Sequence, residues 1–209
     1  MKNLIVLLLA IIIFPFYGAS QALEALDNID YISPFNDGLA AIKKGNEWAF
    51  IDVNGNVAID FRDDIMTTNI DYESYPVFKN GRCIITQEKD DIIYFGFIDA
   101  LGNTIIKPQF LNATNFNNNR AIVLKLVKES LGKNTLLGKP VVSYKYAEAI
   151  INTEGNVTNY LSEPNPITLS KDFILEPPKI ISKLISETVY ATWTKDKKWA
   201  IKQIETIKN

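Results

Sequence analysis

The feature that most restricts what this chain can fold into is its partial self-similarity. Three stretches open alike: Phe35-Asn36-Asp37-Gly38, Phe78-Lys79-Asn80-Gly81 and Phe116-Asn117-Asn118-Asn119. Each leads into an apolar run. Each is answered further on by an apolar segment with a glycine turn behind it: Trp48-Ala49-Phe50-Ile51-Asp52 before Gly55, Phe95-Gly96-Phe97-Ile98-Asp99 before Gly102, and Ala149-Ile150-Ile151-Asn152 before Gly155. The opening phenylalanines lie 43 and then 38 positions apart and the turn glycines 47 and then 53, so the units match while their loops differ in length. A degenerate fourth copy follows, with Ile185–Ala191 mimicking the first half and Lys198-Trp199-Ala200-Ile201 the second. Units of this size bury their apolar faces only by stacking on neighbours.

Within a unit the pattern reads as three strands, in the first about Leu39–Lys43, Glu47–Asp52 and Asn56–Asp60. Lys44-Gly45-Asn46 makes the first hairpin loop and Asp52-Val53-Asn54-Gly55 the second. An aspartate opening such a turn accepts neighbouring N–H groups, and a glycine at its end takes the left-handed position. The second strand is apolar on both faces, with Trp48 and Phe50 on one and Ala49 and Ile51 on the other, so it must be covered twice. The small residue of the pair, Ala49 or Gly96, is expected to sit against a neighbouring unit. Cys83 aligns with Ala40 and Ala121, which a small inward position explains. A composition rich in valine, isoleucine, phenylalanine and tyrosine favours strands throughout.

These residues resemble the WG-repeat family of exported bacterial proteins. The resemblance rests on the Phe-x-x-Gly opening, the aromatic-small pairs Trp48-Ala49, Phe95-Gly96 and Trp199-Ala200, the Ile-Asp strand ends, the Asn-Gly type turn and the trailing Ile106-Lys107-Pro108-Gln109-Phe110. Alanine replaces glycine in two pairs, the first unit lacks the trailing proline, and Glu148 stands where the third unit's aromatic belongs. The expected fold is all-β: consecutive antiparallel hairpins at about 32–77, 78–115, 116–160 and a degenerate 180–209, forming one curved or propeller-like array. With so few units, an open array capped by its end units is favoured over a closed ring. The family implies little about activity.

Other stretches break the plan. Leu124–Lys128 and Val141–Tyr146 alternate on either side of a Gly- and Lys-rich tip, which reads as a long hairpin with an exposed loop. Pro164, Pro166, Pro177 and Pro178 mark a connector or edge segment. A short helix is expected at Lys179–Ile185, and a helical turn or loop within Asp60–Tyr75.

The first residues set out a targeting signal: Lys2, an apolar run from Leu4 to Phe16, then Gly18-Ala19-Ser20. A short basic start, an apolar core and small residues are the layout of a secretory signal peptide, and the run is shorter than the roughly 20 residues of a membrane span. Cleavage is expected after Ser20, or else after Ala22, leaving 21–209 as one soluble domain outside the cytoplasm, periplasmic or secreted.

Composition then removes whole classes of chemistry. The chain has no histidine, hence neither the commonest general base nor the commonest metal ligand. A single cysteine makes no internal disulfide and no thiolate zinc site. A net charge of −2 with lysines interspersed supplies no field for a phosphate backbone, so nucleic acid is not expected as a partner. Asp63-Asp64 and Asp90-Asp91 read as solvated loop pairs, and Asp52-Val53-Asn54-Gly55-Asn56 misplaces its glycine for a calcium loop. Asn112-Ala113-Thr114 and Asn156-Val157-Thr158 fit a glycosylation acceptor pattern that matters only in a eukaryotic secretory route.

No cofactor, metal or catalytic residue is expected. Aromatics at repeat positions, among them Trp48, Phe50, Phe95 and Phe97, belong in the core. Tyr72, Tyr75, Tyr144, Tyr146 and Trp193 are less tied to those positions and are the candidate binding residues. The leading expectation is a non-enzymatic binding or scaffold module that meets an envelope protein, peptide or glycan. Its rivals are a carboxylate-dependent enzyme acting on glycans and a purely structural envelope component.

Overall fold

The computed structural model describes residues 26–133, 138, 140–172, 174 and 176–205, so the expected export signal lies outside the described residues. Among the described residues every regular element is a strand, and every pairing is antiparallel. The first unit holds β1 (Tyr31–Ile32), β2 (Leu39–Lys44), β3 (Glu47–Asp52) and β4 (Val57–Arg62) in that spatial order. A small hairpin of β5 (Thr68–Ile70) and β6 (Glu73–Tyr75) follows. The second unit is β7 (Cys83–Lys89), β8 (Ile92–Ile98) and β9 (Thr104–Ala113). The third is β10 (Arg120–Lys133), β11 (Pro140–Asn152) and β12 (Val157–Tyr160), with β13 (Asn165–Ile167) on the far part of β11. The fourth is β14 (Ser182–Leu184), β15 (Val189–Trp193) and β16 (Trp199–Gln203). Among the described residues none of the sheets closes into a barrel.

Each unit begins with a short strand that the sequence pattern did not reveal. Ser33 N–H donates to Ala41 O, Met66 N–H to Ile84 O, and Thr114 N–H to Ile122 O, each at 2.9–3.0 Å. In the first and third units the hydroxyl at this position returns the favour: Ser33 Oγ and Thr114 Oγ1 accept from Ala41 N–H and Ile122 N–H. In the second and third units this leading segment continues from the third strand of the unit before. β4 runs on to Asp64–Met66, whose backbone bonds to β7, while β9 pairs with β8 early and with β10 at Ala113. One strand thus ends one unit and begins the next.

The turns follow from backbone conformation. Asp37-Gly38, Asn80-Gly81 and Asn118-Asn119 all have positive φ, which suits the two-residue hairpin turn they form. They also interlock: Asp37 Oδ2 accepts from Gly81 N–H at 2.9 Å, and Asn80 Oδ1 from Asn119 N–H at 3.0 Å. In the later turn Gly55, Gly102 and Gly155 have φ of 83, 81 and 85°, while Asp52, Asp99 and Asn152 each accept from two backbone N–H groups.

Apolar clusters join successive units, and pairing of β9 with β10 also makes the second and third units one seven-stranded sheet. Trp48 and Phe50 lie in one apolar cluster with Phe78, Cys83, Ile85 and Ile98 of the second unit. Phe95 and Phe97 lie in the next with Phe116, Ala121 and Val123 of the third. Ile122 and Ile150 meet Tyr190 and Leu184 of the fourth. The opening phenylalanine completes the contact, with Phe78 edge-on to Phe50 at 4.8 Å and Phe116 edge-on to Phe97 at 4.9 Å. The three arginines of the chain all donate to backbone carbonyls of the following unit: Arg62 to Gly102, Arg82 to Thr153, and Arg120 to Ser186 and Glu187.

Several expectations need correction. Lys179–Ile185 is not helical, because β14 occupies Ser182–Leu184 and pairs with β15. Asp60–Tyr75 holds no helical turn: the expected loop is there at 63–67, but the end of β4 and the β5–β6 hairpin flank it. Gly96 does not face a neighbouring unit. A Cβ there would lie 2.4 Å from Ile106 O and 2.6 Å from Pro108 N, in the adjacent strand of its own unit. The cause is a bulge: Phe95 and Phe97 pair with Phe110 and Ile106, so β9 spends extra residues, Lys107-Pro108 among them, opposite Gly96. In the first unit Trp48 and Phe50 pair with Arg62 and Ile59, one residue fewer, and alanine fits. Finally, Phe35 is 51% exposed, since no described unit precedes it.

Candidate functional site

The five candidate aromatics do not converge. Tyr72 stands fully exposed with φ 76° in the turn between β5 and β6. Tyr75 is a correction: it is buried in the first core cluster, stacked on Tyr31 at 6.0 Å, and offers no surface. Tyr144 and Tyr146 are half-buried on β11, with Lys128 Nζ 6.0 Å above the Tyr144 ring and Tyr146 packed beside Leu111 and Leu124. Trp193 is exposed on β15.

Trp193 has company that sequence reasoning placed elsewhere. Its partner across the ladder is Trp199, and the two rings meet edge-on at 4.9 Å. Strand alternation puts Ile201 on the same face, and Ile181 lies beside Trp193, whose N–H donates to Ile181 O. Lys183 Nζ rests 4.5 Å from the Trp199 ring centroid, a cation held over an aromatic face. Trp199 is 50% exposed and Ile201 73%, although they occupy the positions of Trp48 and Phe50. Ladder register fixes that equivalence: Lys43 faces Trp48 as Trp193 faces Trp199. The other face of this sheet is spent on the third unit, where Tyr190 is buried and donates through its hydroxyl to Leu161 O.

The fourth unit is fastened through an unusual group. Glu148, 3% exposed, occupies the third unit's aromatic position. Its Oε1 accepts from Ile181 N–H at 2.5 Å, anchoring the strand that leads into β14. Where Trp48 and Phe95 fill space, a carboxylate here caps a backbone donor.

Two clefts lie between units. One of about 650 Å³ separates the second and third, lined by Thr67, Lys79, Ile84, Phe95 and Asn117, with Asn115 Nδ2 donating to Thr68 Oγ1 at its edge. The other, about 750 Å³, separates the third and fourth and is lined by Tyr160, Glu163, Tyr190, Lys202 and Glu205. The aspartate pairs sit elsewhere. Asp64 holds Arg62 through two hydrogen bonds, and Asp90-Asp91 form a positive-φ hairpin turn with Lys171 on Asp91. Burial pushes the Cys83 thiol far up, so it is an inert packing residue. Among the described residues no cluster of His, Cys, Asp and Glu could hold a metal ion.

Comparison with known proteins adds one finding. A family model described as "WG containing repeat" matches residues 28–48 and 95–125. No curated protein and no solved structure matches the chain.

Proposed function

From the premise that this chain carries WG-containing repeats, we propose that it is an exported, non-enzymatic binding or scaffold module whose contact surface is the outer face of β14-β15-β16. The observation that carries this reading is the pair Trp193–Trp199 with Ile201, an apolar patch left in water on the fourth unit although the positions of Trp199 and Ile201 are buried in the units before. A patch of this kind, rimmed by lysines, is the ordinary signature of an interaction site. Export rests on the amino-terminal signal, and the apolar run is too short to serve as a span. The partner classes are an envelope protein, a peptide or a glycan.

The test is a quantitative capture experiment with residues 21–209 as bait against envelope and medium fractions. Capture that falls sharply with Trp199→Ala, while far-UV circular dichroism stays unchanged, supports the reading. Capture indifferent to Trp199→Ala and Ile201→Glu contradicts it.

A second reading has one specific observation behind it. Glu163 and Glu205 line the 750 Å³ cleft beside Tyr160, and glycan hydrolysis uses two carboxylates and aromatic platforms. Hydrolysis of a glycan panel, abolished by Glu163→Gln, would replace the binding reading with an enzymatic one.

A further inference from the structure

The face just described has a complement on the same molecule. Each internal interface is made of two halves. One is the aromatic face of a second strand, such as Trp48 and Phe50. The other is the next unit's opening, such as Phe78. Trp199 and Ile201 are an exposed first half. On the first unit the exposed part of the second half is its rim, Phe35 at 51% and Ile32 at 62%, because Ala40, Ile42 and Ala49, which answer to Cys83, Ile85 and Gly96, are buried.

Backbone pairing says the same. In the second and third units the stretch that runs into the leading strand is the third strand of the unit before. By that plan, residues 26–30, which run into β1, belong on the outer edge of a preceding second strand. β16 ends its sheet, and among the described residues no strand pairs with its outer edge. Such an edge is a template for an added strand.

The charges are complementary. Residues 26–38 carry Asp27, Asp30 and Asp37 and no lysine or arginine, and all three aspartates are exposed. Around the tryptophan pair stand Lys183, Lys195, Lys197 and Lys198, all exposed, against the single acid Asp196. Opposite patches of this kind steer and register an encounter.

We propose that the partner of the β14-β15-β16 face is a second copy of this chain, docking its first unit head-to-tail: residues 26–30 along β16, and Phe35 against Trp199 and Ile201. This rests on the reading of that face as a contact surface and names its occupant. The contact joins two different patches, so it propagates into open chains of molecules unless its rotation happens to close a ring. Among the described residues no strand pairing and no apolar cluster joins the first unit to the fourth.

The experiment uses residues 21–209 in sedimentation velocity across a concentration series. The parent should show mass-action growth beyond the monomer, weakened about tenfold or more in about 1 M salt, where exposed charges are screened within about 3 Å. A head variant (Ile32→Ser with Phe35→Ser) and a tail variant (Trp199→Ala with Ile201→Glu) should each stay monomeric. Mixed, they retain one intact head and one intact tail, and should form a one-to-one dimer and nothing larger. Circular dichroism spectra matching the parent show that both variants fold. A tail variant that is monomeric beside a head variant that still dimerises means tryptophan faces meeting each other, and overturns the proposal. Parent protein that stays monomeric at all concentrations also overturns it. In that last case the capture experiment can still succeed through Trp199, so failure here and failure of the binding reading remain distinct.

Discussion

Trp48 and Trp199 hold the same repeat position and meet opposite fates. Trp48 is 7% exposed, wedged against Tyr31 and roofed by residues of the second unit, whereas Trp199 is 50% exposed beside Trp193. The strands around them have the same register, so the difference does not arise within the unit. It arises from what lies above. Burial in a repeat array is a property of the neighbour, and a residue that is core in one copy is exposed in the copy that no described unit covers.

The largest expected effect tests this contrast directly. Trp48→Ala should destabilise by about 3–5 kcal/mol, as removal of a buried aromatic does, while Trp199→Ala should change stability by no more than about 0.5–1 kcal/mol. Urea melts of both variants measure the gap. Equal losses would mean that the fourth unit's face is core after all.

A second contrast separates the first two units. Gly96→Ala drives a methyl into the backbone of the β9 bulge and should cost about 2–3 kcal/mol. Ala49→Gly, opposite the shorter bulge of β4, should cost only about 0.5–1 kcal/mol, the usual penalty of added chain freedom. Removing Pro108 shortens the β9 bulge towards that of β4. In a double-mutant cycle this deletion should relieve part of the Gly96→Ala loss, and additive losses would show that bulge and small residue are not coupled.

The turn glycines sharpen the picture at smaller scale. Gly55→Val and Gly102→Val both force a branched residue to positive φ and should each lose about 1 kcal/mol or more. Gly102→Val should lose more than Gly45→Val, because a Cβ at Gly102 comes within 3.2 Å of Ile59 in the unit below while one at Gly45 meets nothing within 4 Å. Thermal melts that rank those two the other way would put the inter-unit contact in doubt.

The smallest effect is electrostatic. Hydrogen bonds from the Asn56 side chain and backbone hold the Asp52 carboxyl below its usual 3.8. Burial pushes Asp99 upward, but hydrogen bonds from Asn103 and Leu101 leave it lowered from the same value. A depressed folded-state pKa means the turn's contribution is full above the ordinary value and is lost as pH falls through the lowered one. The third unit has Asn152 instead and nothing to titrate there. Amide NMR signals of Asn56 and Asn103 should therefore move in acid, while that of Asn156 stays still.

Much of this was legible in the chain, because turn chemistry and alternation are local. Asp52 with Gly55, Asp99 with Gly102, and Glu148 in an aromatic's place were all readable from spacing. The leading strands were not, since a strand of two or three residues has no room for a period, and its hydrogen bonds come from a partner fixed by the fold. Ile180, Ile181, Leu184 and Ile185 have helix-like spacing, yet pairing with β15 outweighs it. Tyr75 and Trp199 were misjudged for one shared reason. Tyr75 lies off the repeat pattern but has Tyr31 and the first core above it, while Trp199 lies on the pattern with no described unit to cover it.

The chain has three tryptophans, which allows the central contrast to be read in one measurement. Acrylamide quenching in dilute solution compares a Trp48→Phe variant, which reports Trp193 and Trp199, with a Trp193→Phe, Trp199→Phe variant, which reports Trp48 alone. The account predicts red-shifted, strongly quenched emission from the first and blue-shifted, protected emission from the second. Equal protection of the two at concentrations where the protein is monomeric would contradict it, because the fourth unit's aromatic face would then be covered within a single chain.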